Sequence, residues 1–284
     1  MANDIEKAAR LLLTSKHVNC LTGAGISVES GIRPFRGPGG LWTELGEPPM
    51  DGYQQFMANP KAYWEKTVKG AGSDREFLQA ADEAIPNPAH YSLADLENLG
   101  ILKYLITQNI DNLHLTAGST KVAEIHGNIK KVRCIKCNTR YGRDDISQDE
   151  IPPKCPKCGG IIKTDIVMFG EPIPLDVLRI CQRETAKSDC MLTVGTSVLV
   201  YPAADFPLEI QRKGGVLIEV NLYQTEMTPL CDISLRGKAG EILPELVECI
   251  KKLQQSKNRI ILILAMISDS AWRTFSSVLS PAPL

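Results

Sequence analysis

The sequence predicts an α/β fold: a mostly parallel sheet with helices on both faces, interrupted by a small inserted metal-binding module. Three observations carry this prediction. Short apolar runs of strand length alternate with stretches of helical periodicity along most of the chain, the pattern of strands covered on both faces by crossover helices. Residues 130–163 break the pattern, being rich in Lys and Cys and poor in large aliphatics. Within them Cys134-x-x-Cys137 and Cys155-x-x-Cys158 are separated by residues 138–154, 17 in all, a spacing that suits one shared metal ion.

The elements follow in order. A first helix is expected over residues 4–15, where Ile5, Ala8, Ala9 and Leu12 recur at helical spacing. Residues 18–22 form a short apolar strand that runs into Gly23-Ala24-Gly25-Ile26-Ser27. Gly and Pro crowd residues 31–50, which read as a long loop. A small helical part at 51–84 carries Phe56, Tyr63 and Trp64 on one or two helices within 52–69. Pro88 and Ala89 precede a helix at 90–98, ended by Gly100. Residues 101–107 are a buried strand, and 108–115 a loop with a short helical turn. Beyond the module, 165–169 reads as a strand or an extended segment. A helix at 175–187 leads to a strand at 190–194, which ends in Gly195-Thr196-Ser197. A helix at 204–213 leads through Gly214-Gly215 to a strand at 216–220, and a strand at 233–235 to a helix at 239–253. The large part is thus expected at about 1–50, 85–130 and 164–255, within a unit of residues 1–255. Residues 256–284 carry Ser, Pro and Trp without clear caps and receive no role.

Composition excludes some classes. Of 284 residues, 43% are apolar and 23% charged, so the chain can bury a core. With 32 basic and 33 acidic residues, the net charge of -1 supplies no global positive field; direct nucleic-acid binding is not expected. No apolar run approaches the length of a membrane span. Residues 1–10 are polar, with no apolar stretch of a secretory signal. Nine cysteines is an odd number, and four of them sit in C-x-x-C pairs. A reducing cytoplasm is expected, not a disulfide framework.

Each C-x-x-C knuckle places two thiolates on one ion, and two knuckles complete a tetrahedron. The expected ligands are Cys134, Cys137, Cys155 and Cys158, and the expected ion is zinc. Four protein ligands leave no open position, so the ion holds structure. Lys131, Arg133, Lys136, Lys154 and Lys157 are read as offsetting the thiolate charge. Cys20, Cys181, Cys190, Cys231 and Cys249 read as small buried hydrophobes.

Gly23-x-Gly25 follows a strand and opens a turn whose amides can approach phosphate oxygens. The third glycine of the dinucleotide fingerprint is absent, and tight turns explain most such pairs. Gly195-Thr196-Ser197 and Asn221 also follow strands, where open α/β sheets bind ligands. Thr107-Gln108-Asn109-Ile110-Asp111 sets polar residues directly after a buried strand, and His126-Gly127 follows a short apolar segment. Composition cannot choose among His17, His90, His114 and His126.

Taken with Ser30-Gly31-Ile32, Phe35-Arg36-Gly37, Gly40-Leu41-Trp42 and Phe169-Gly170-Glu171, these stretches occur in the order found in the sirtuins. The chain resembles that family of NAD-dependent protein-lysine deacylases, in its archaeal and bacterial form, over about residues 5–250. The resemblance implies a Rossmann-like sheet and NAD consumed as co-substrate. It implies that Ala24, Gly25 and Ser197 bind the phosphates, that Thr196 and Asn221 lie around the adenine-side ribose, and that Gly23, Ser27 and Gly195 also contact the cofactor. Phe35 and Arg36 would belong to a mobile cofactor loop, and Trp42 would also contact the cofactor. Asn109, Ile110 and Asp111 would line the nicotinamide pocket, with Gln108 on its ribose; Cys231 and Asp232 complete the implied cofactor contacts. Asn109 and His126 would be catalytic, His126 as general base toward the ribose hydroxyls. Val167, Met168, Phe169, Gly170 and Val198 would bind the acyl-lysine, with the peptide as an added strand between loops near 168–171 and 197–201. The implied products are nicotinamide, free lysine and O-acyl-ADP-ribose. Implied partners are acylated proteins, chromatin among them, with the enzyme a monomer. Mono-ADP-ribosyl transfer and a non-catalytic acyl-lysine or NAD reader are the alternatives.

The chain departs from the pattern of desuccinylases, which carry Tyr-x-x-Arg after Asn-Pro. Aligned on Trp64, those positions hold Thr67 and Gly70, with Lys66 and Lys69 nearby. A succinyl carboxylate would lack its bidentate arginine. Acetyl or apolar acyl groups are therefore expected, with weak desuccinylation. Met168 could widen the acyl tunnel.

Overall fold

Apolar strands need cover on both faces, and the helices supply it. The computed structural model describes residues 2–68, 75–147 and 149–278, with backbone alone at 258 and 260–278. The first half runs α1 (Ala2–Thr14), β1 (Val18–Thr22), α2 (Leu41–Leu45), α3 (Gly52–Ala58), α4 (Pro60–Val68), α5 (Arg75–Glu83), α6 (Pro88–Asn98), β2 (Leu102–Thr107), α7 (Leu113–Thr116) and β3 (Val122–Glu124). The second runs β4 (Lys131–Cys134), β5 (Arg140–Gly142), β6 (Ile162–Thr164), α8 (Leu175–Lys187), β7 (Cys190–Val194), α9 (Asp205–Arg212), β8 (Val216–Asn221), β9 (Ile233–Arg236) and α10 (Ala239–Val278).

Six strands form a parallel sheet in the order β3-β2-β1-β7-β8-β9. The order reverses between β1 and β7, the switch point where such sheets bind ligands beyond their carboxyl ends. Helices α1, α6 and α10 pack together on one face, and their apolar stripes meet Cys20, Leu105, Leu192 and Val220 of the strands. On the other face α8 and α9 bring Cys181, Phe206 and Ile210 against Leu21, Ile106 and Leu217. The Rossmann-like expectation holds.

A second sheet, β5-β4-β6, is antiparallel and lies within the inserted module. Its core is small: Val132, Ile146 and Ile162, with the thiols of Cys134 and Cys155. Trp64 of α4 enters this core, and its indole Nε1 donates to Ile162 O at 2.7 Å. The small helical part therefore shares its packing with the module.

Some expectations shift. The 31–50 loop contains α2, and 165–169 is irregular, not a strand. The helix expected to end at 253 continues to Val278, taking in much of the stretch read as a tail. Lys69, Gly70 and residues 279–284 lie outside the described residues. Among the described residues no helix is long and apolar enough to cross a membrane.

Candidate active site

A cleft of about 2250 Å³ opens above the switch point. Its floor forms where two glycine turns touch. The Gly25 N–H donates to Gly195 O at 2.8 Å, and a Cβ on Gly25 would lie 2.7 Å from Gly195 Cα. Gly195 itself sits at φ +58, where a side chain is strained. Only glycine lets the ends of β1 and β7 approach this closely.

The polar run after β2 is braced from behind. Asn109 Nδ2 donates to Gly23 O at 3.2 Å and to Ser27 Oγ at 3.0 Å. The Ser27 hydroxyl donates to Asp111 Oδ2 at 2.7 Å. Burial pushes the Asp111 carboxyl up, opposed by hydrogen bonds from Leu113 N and Ser27. Gln108 Nε2 donates to Thr196 Oγ1 at 2.7 Å, and Asn221 Nδ2 to Thr196 O at 2.9 Å. These bonds tie the ends of β1, β2, β7 and β8 into one wall. Behind it His114 Nε2 meets Thr22 Oγ1 at 2.9 Å, and the His90 and His114 rings lie 4.9 Å apart.

His126 follows β3 and lines the cleft. Its Nδ1 lies 3.0 Å from Gln108 O, so the neutral ring donates there and keeps Nε2 as its base. Burial lowers its pKa, partly offset by that bond. The base form therefore persists below the ordinary histidine range.

The loop before α2 closes one side. Phe35 packs on Trp42 and Phe77 at centroid distances of 4.6 and 4.9 Å. Arg36 lies over Trp42 at 4.7 Å and pairs with Glu47 at 2.8 Å. Trp42 also reaches Phe169 at 5.6 Å, joining this loop to the opposite wall, where Val167, Met168, Phe169 and Gly170 line the cleft.

Most sequence-predicted residues thus surround one cleft. Ser27 and Asp111 stand behind its wall as braces, and Val198 turns into the α8–α9 core. Cys231 and Asp232 are drawn elsewhere: the Cys231 thiol reaches Met227 O, and Asp232 exchanges bonds with the Leu217 backbone at the start of β8. They do not line the cleft. Arg133 does not serve the thiolates as expected; its guanidinium pairs with Asp165 and Glu171. Lys131 pairs with Glu124.

Away from the cleft, the sulfurs of Cys134, Cys137, Cys155 and Cys158 all lie within 4.8 Å of one another. Cys134–Cys158 is 3.5 Å and Cys137–Cys155 is 3.7 Å. A tetrahedral ion with bonds of about 2.3 Å needs sulfur–sulfur edges of about 3.8 Å, so the four thiols fit one.

The fold and the site define a Rossmann-like α/β protein with a buried histidine in the same cleft as two glycine turns. A model of the Sir2 family matches residues 23–202, and the chain belongs to that family. It is 43% identical over 256 residues to the NAD-dependent protein deacylase of Pyrococcus abyssi, covering 88% of this chain and 100% of that one. The NAD-dependent protein deacylase of Thermococcus kodakarensis is 43% identical over 258 residues, covering 88% and 97%. A solved Sir2 homolog–NAD complex superposes with a TM-score of 0.72 at 42% identity, over 87% of this chain and 94% of that one. A Sir2–p53 peptide–NAD+ complex gives 0.70 at 34%, over 86% and 97%.

Proposed function

We propose that this chain is an NAD-dependent protein-lysine deacylase that removes acetyl or apolar acyl groups and releases nicotinamide, free lysine and O-acyl-ADP-ribose. One observation carries the reading. His126, held as a neutral base by Gln108 O, lines the same cleft as the Gly23–Gly25 and Gly195 turns. The Gly23, Gly25 and Gly195 amides donate to backbone carbonyls and fix the turns, so Ala24 and Ser197 are assigned to the pyrophosphate of NAD, and Thr196 and Asn221 to its adenine-side ribose. Asn109, Ile110 and Gln108 are assigned to the nicotinamide end, with Phe35 and Trp42 excluding water there. His126 takes the proton from a ribose hydroxyl. The acyl-lysine enters past Val167, Met168 and Phe169, its backbone as a strand between 168–171 and 197–201. Both segments line the cleft.

The acyl preference rests on the far wall. There the Tyr63 hydroxyl is bonded to Thr164 Oγ1 at 2.6 Å, and the Thr67 hydroxyl turns back to Tyr63 O at 2.9 Å. Neither presents the arginine fork that suits a carboxylate. The ion held by the four cysteines is assigned as structural zinc. All nine cysteines are free, which supports a reducing compartment, and the cytoplasm is proposed. A monomer acting on acylated proteins, chromatin among them, is the proposed state.

Mass spectrometry with NAD and acetylated, myristoylated and succinylated peptides tests the reading. Deacylated peptide with O-acyl-ADP-ribose is expected, acetyl or myristoyl ahead of succinyl. His126→Ala should lose about 10²–10⁴-fold in rate. ADP-ribosylated protein without deacylation, or full activity in His126→Ala, would overturn it.

A further inference from the structure

We infer that Glu171, clamped by Lys163 and Arg133, is a positioning residue that fixes residues 164–171 in the shape that receives the acyl-lysine. The inference rests on the deacylase reading above. Lys163 is wholly buried, and its ammonium has three donors. All three are used: Thr164 O and Ile166 O at 2.7 Å each, and Glu171 Oε2 at 3.0 Å. The Glu171 side chain is also buried, although the residue borders the cleft. Its Oε1 accepts from Arg133 Nη2 at 2.5 Å, and its Oε2 accepts the Met168 N–H at 2.9 Å. Arg133 Nε also donates to Asp165 Oδ1, which takes Arg140 Nε as well, both at 3.1 Å.

The clamp sets the direction of each peptide group along the loop. Carbonyls 164 and 166 face Lys163, and the amide of Met168 faces Glu171. The amide of Val167 then turns the other way and donates to His126 O at 2.9 Å. At φ +82, a Cβ on Gly127 would strike Asp165 O, so the loop lies flat on the His126–Gly127 backbone. The loop that offers Met168 and Phe169 to the cleft is thus registered against the catalytic base. Stability alone does not call for such an arrangement, since apolar replacement of buried ion pairs is often neutral or stabilising.

Lys163 is faced by Glu171, Arg133 and Asp165. Burial pushes its ammonium down to about 8, against the pull of Glu171. In mildly alkaline solution the amine keeps two N–H groups for three acceptors, and the clamp loosens.

Glu171→Gln keeps the shape and removes the charge. Its KM for acetylated peptide should rise about tenfold or more, while the Kd for NAD stays within about twofold and the metal content is unchanged. A second series follows peptide KM from about pH 7 to about pH 9 in wild type and Lys163→Arg, whose guanidinium does not titrate there. KM should climb above pH 8 in wild type alone. That series decides if Glu171→Gln does not fold. A peptide KM unmoved in Glu171→Gln, or identical pH series in the two proteins, would overturn the clamp. Absence of NAD-dependent deacylation by wild type would instead sink the reading beneath it.

Discussion

Four strands of the parallel sheet end at one wall of the cleft, and the three-stranded module ends at the other. The two walls are held in different ways. Gly23–Gly25, Gln108–Asp111, Gly195–Ser197 and Asn221 emerge directly from β1, β2, β7 and β8, and β1 and β7 are buried along their whole length. Cross-bonds such as Gly25 N to Gly195 O fix these turns to each other. Residues 164–171 emerge from β6, whose small core borrows Trp64 from a helix and includes thiols. Beyond β6 the loop is held by buried charges. The wall assigned to the cofactor rests on buried apolar strands whose ends are tied by hydrogen bonds, and the wall assigned to the acyl-lysine rests on buried ion pairs. The two should therefore fail separately.

Metal removal is the largest test of that separation. Binding of a structural ion at four thiolates is folding free energy for such a module, about 10–16 kcal/mol in small zinc domains. Treatment with a strong chelator should lower deacylation at least about 100-fold, a loss of about 2.7 kcal/mol in transition-state binding. NAD affinity, measured by calorimetry on the same sample, should change little. If NAD binding disappeared with activity, the two walls would be one cooperative unit. If the metal-free protein turned over normally, the module would play no part in shaping the acyl-lysine wall.

The same contrast explains what could be read in the sequence. The strands at 18–22 and 190–194 coincide with β1 and β7, because strands buried on both faces leave unbroken apolar runs. The glycine turns and the cysteine spacing were equally legible, being local patterns. β3 is only three residues long, too short to carry a period. In the module, Arg133 and Lys163 look like solvated charges among other lysines. What buries them is Asp165 and Glu171, brought in by the fold from 32 and 38 residues beyond Arg133. No local pattern announces such a pairing. Cys231 and Asp232 mislead for a related reason: the resemblance locates them near the cofactor, but the turn into β9 spends their side chains on backbone groups.

Acid should act mainly on the cofactor wall. Burial lowers the pKa of His90 to about 4, and of His114 well below 6.5. Both rings stay neutral in the fold but take up protons in the unfolded chain below pH 6.5. The stability they contribute is complete above pH 6.5 and is lost as pH falls toward the folded values. Asp111 and Asp165, raised mainly by burial, work in the opposite sense and flatten the total. A single replacement isolates the effect. His114→Gln should reduce the slope of unfolding free energy against pH by about 1.4 kcal/mol per unit between about pH 6.5 and pH 5. Urea melts across that range measure it. An unchanged slope would mean that His114 is already charged in the fold.

The smallest effect tests whether the sheet has stability to spare. Asn19 is the second residue of β1, fully buried, between β2 and β7. Its Oδ1 and Nδ2 have no hydrogen-bond partner among the described residues. An unpartnered buried amide costs about 1–3 kcal/mol. Valine has a similar size and a β-branched shape that suits a strand. Asn19→Val should therefore raise the unfolding free energy by about 1 kcal/mol in urea melts. Peptide KM and metal dependence should not move, because neither depends on the stability of the sheet once the sheet is folded. A less stable Asn19→Val would mean that the amide is satisfied by buried water, and that the sheet too depends on a polar contact. A stabilised variant with altered peptide KM would be more damaging, since it would couple the two walls through a central strand of the sheet.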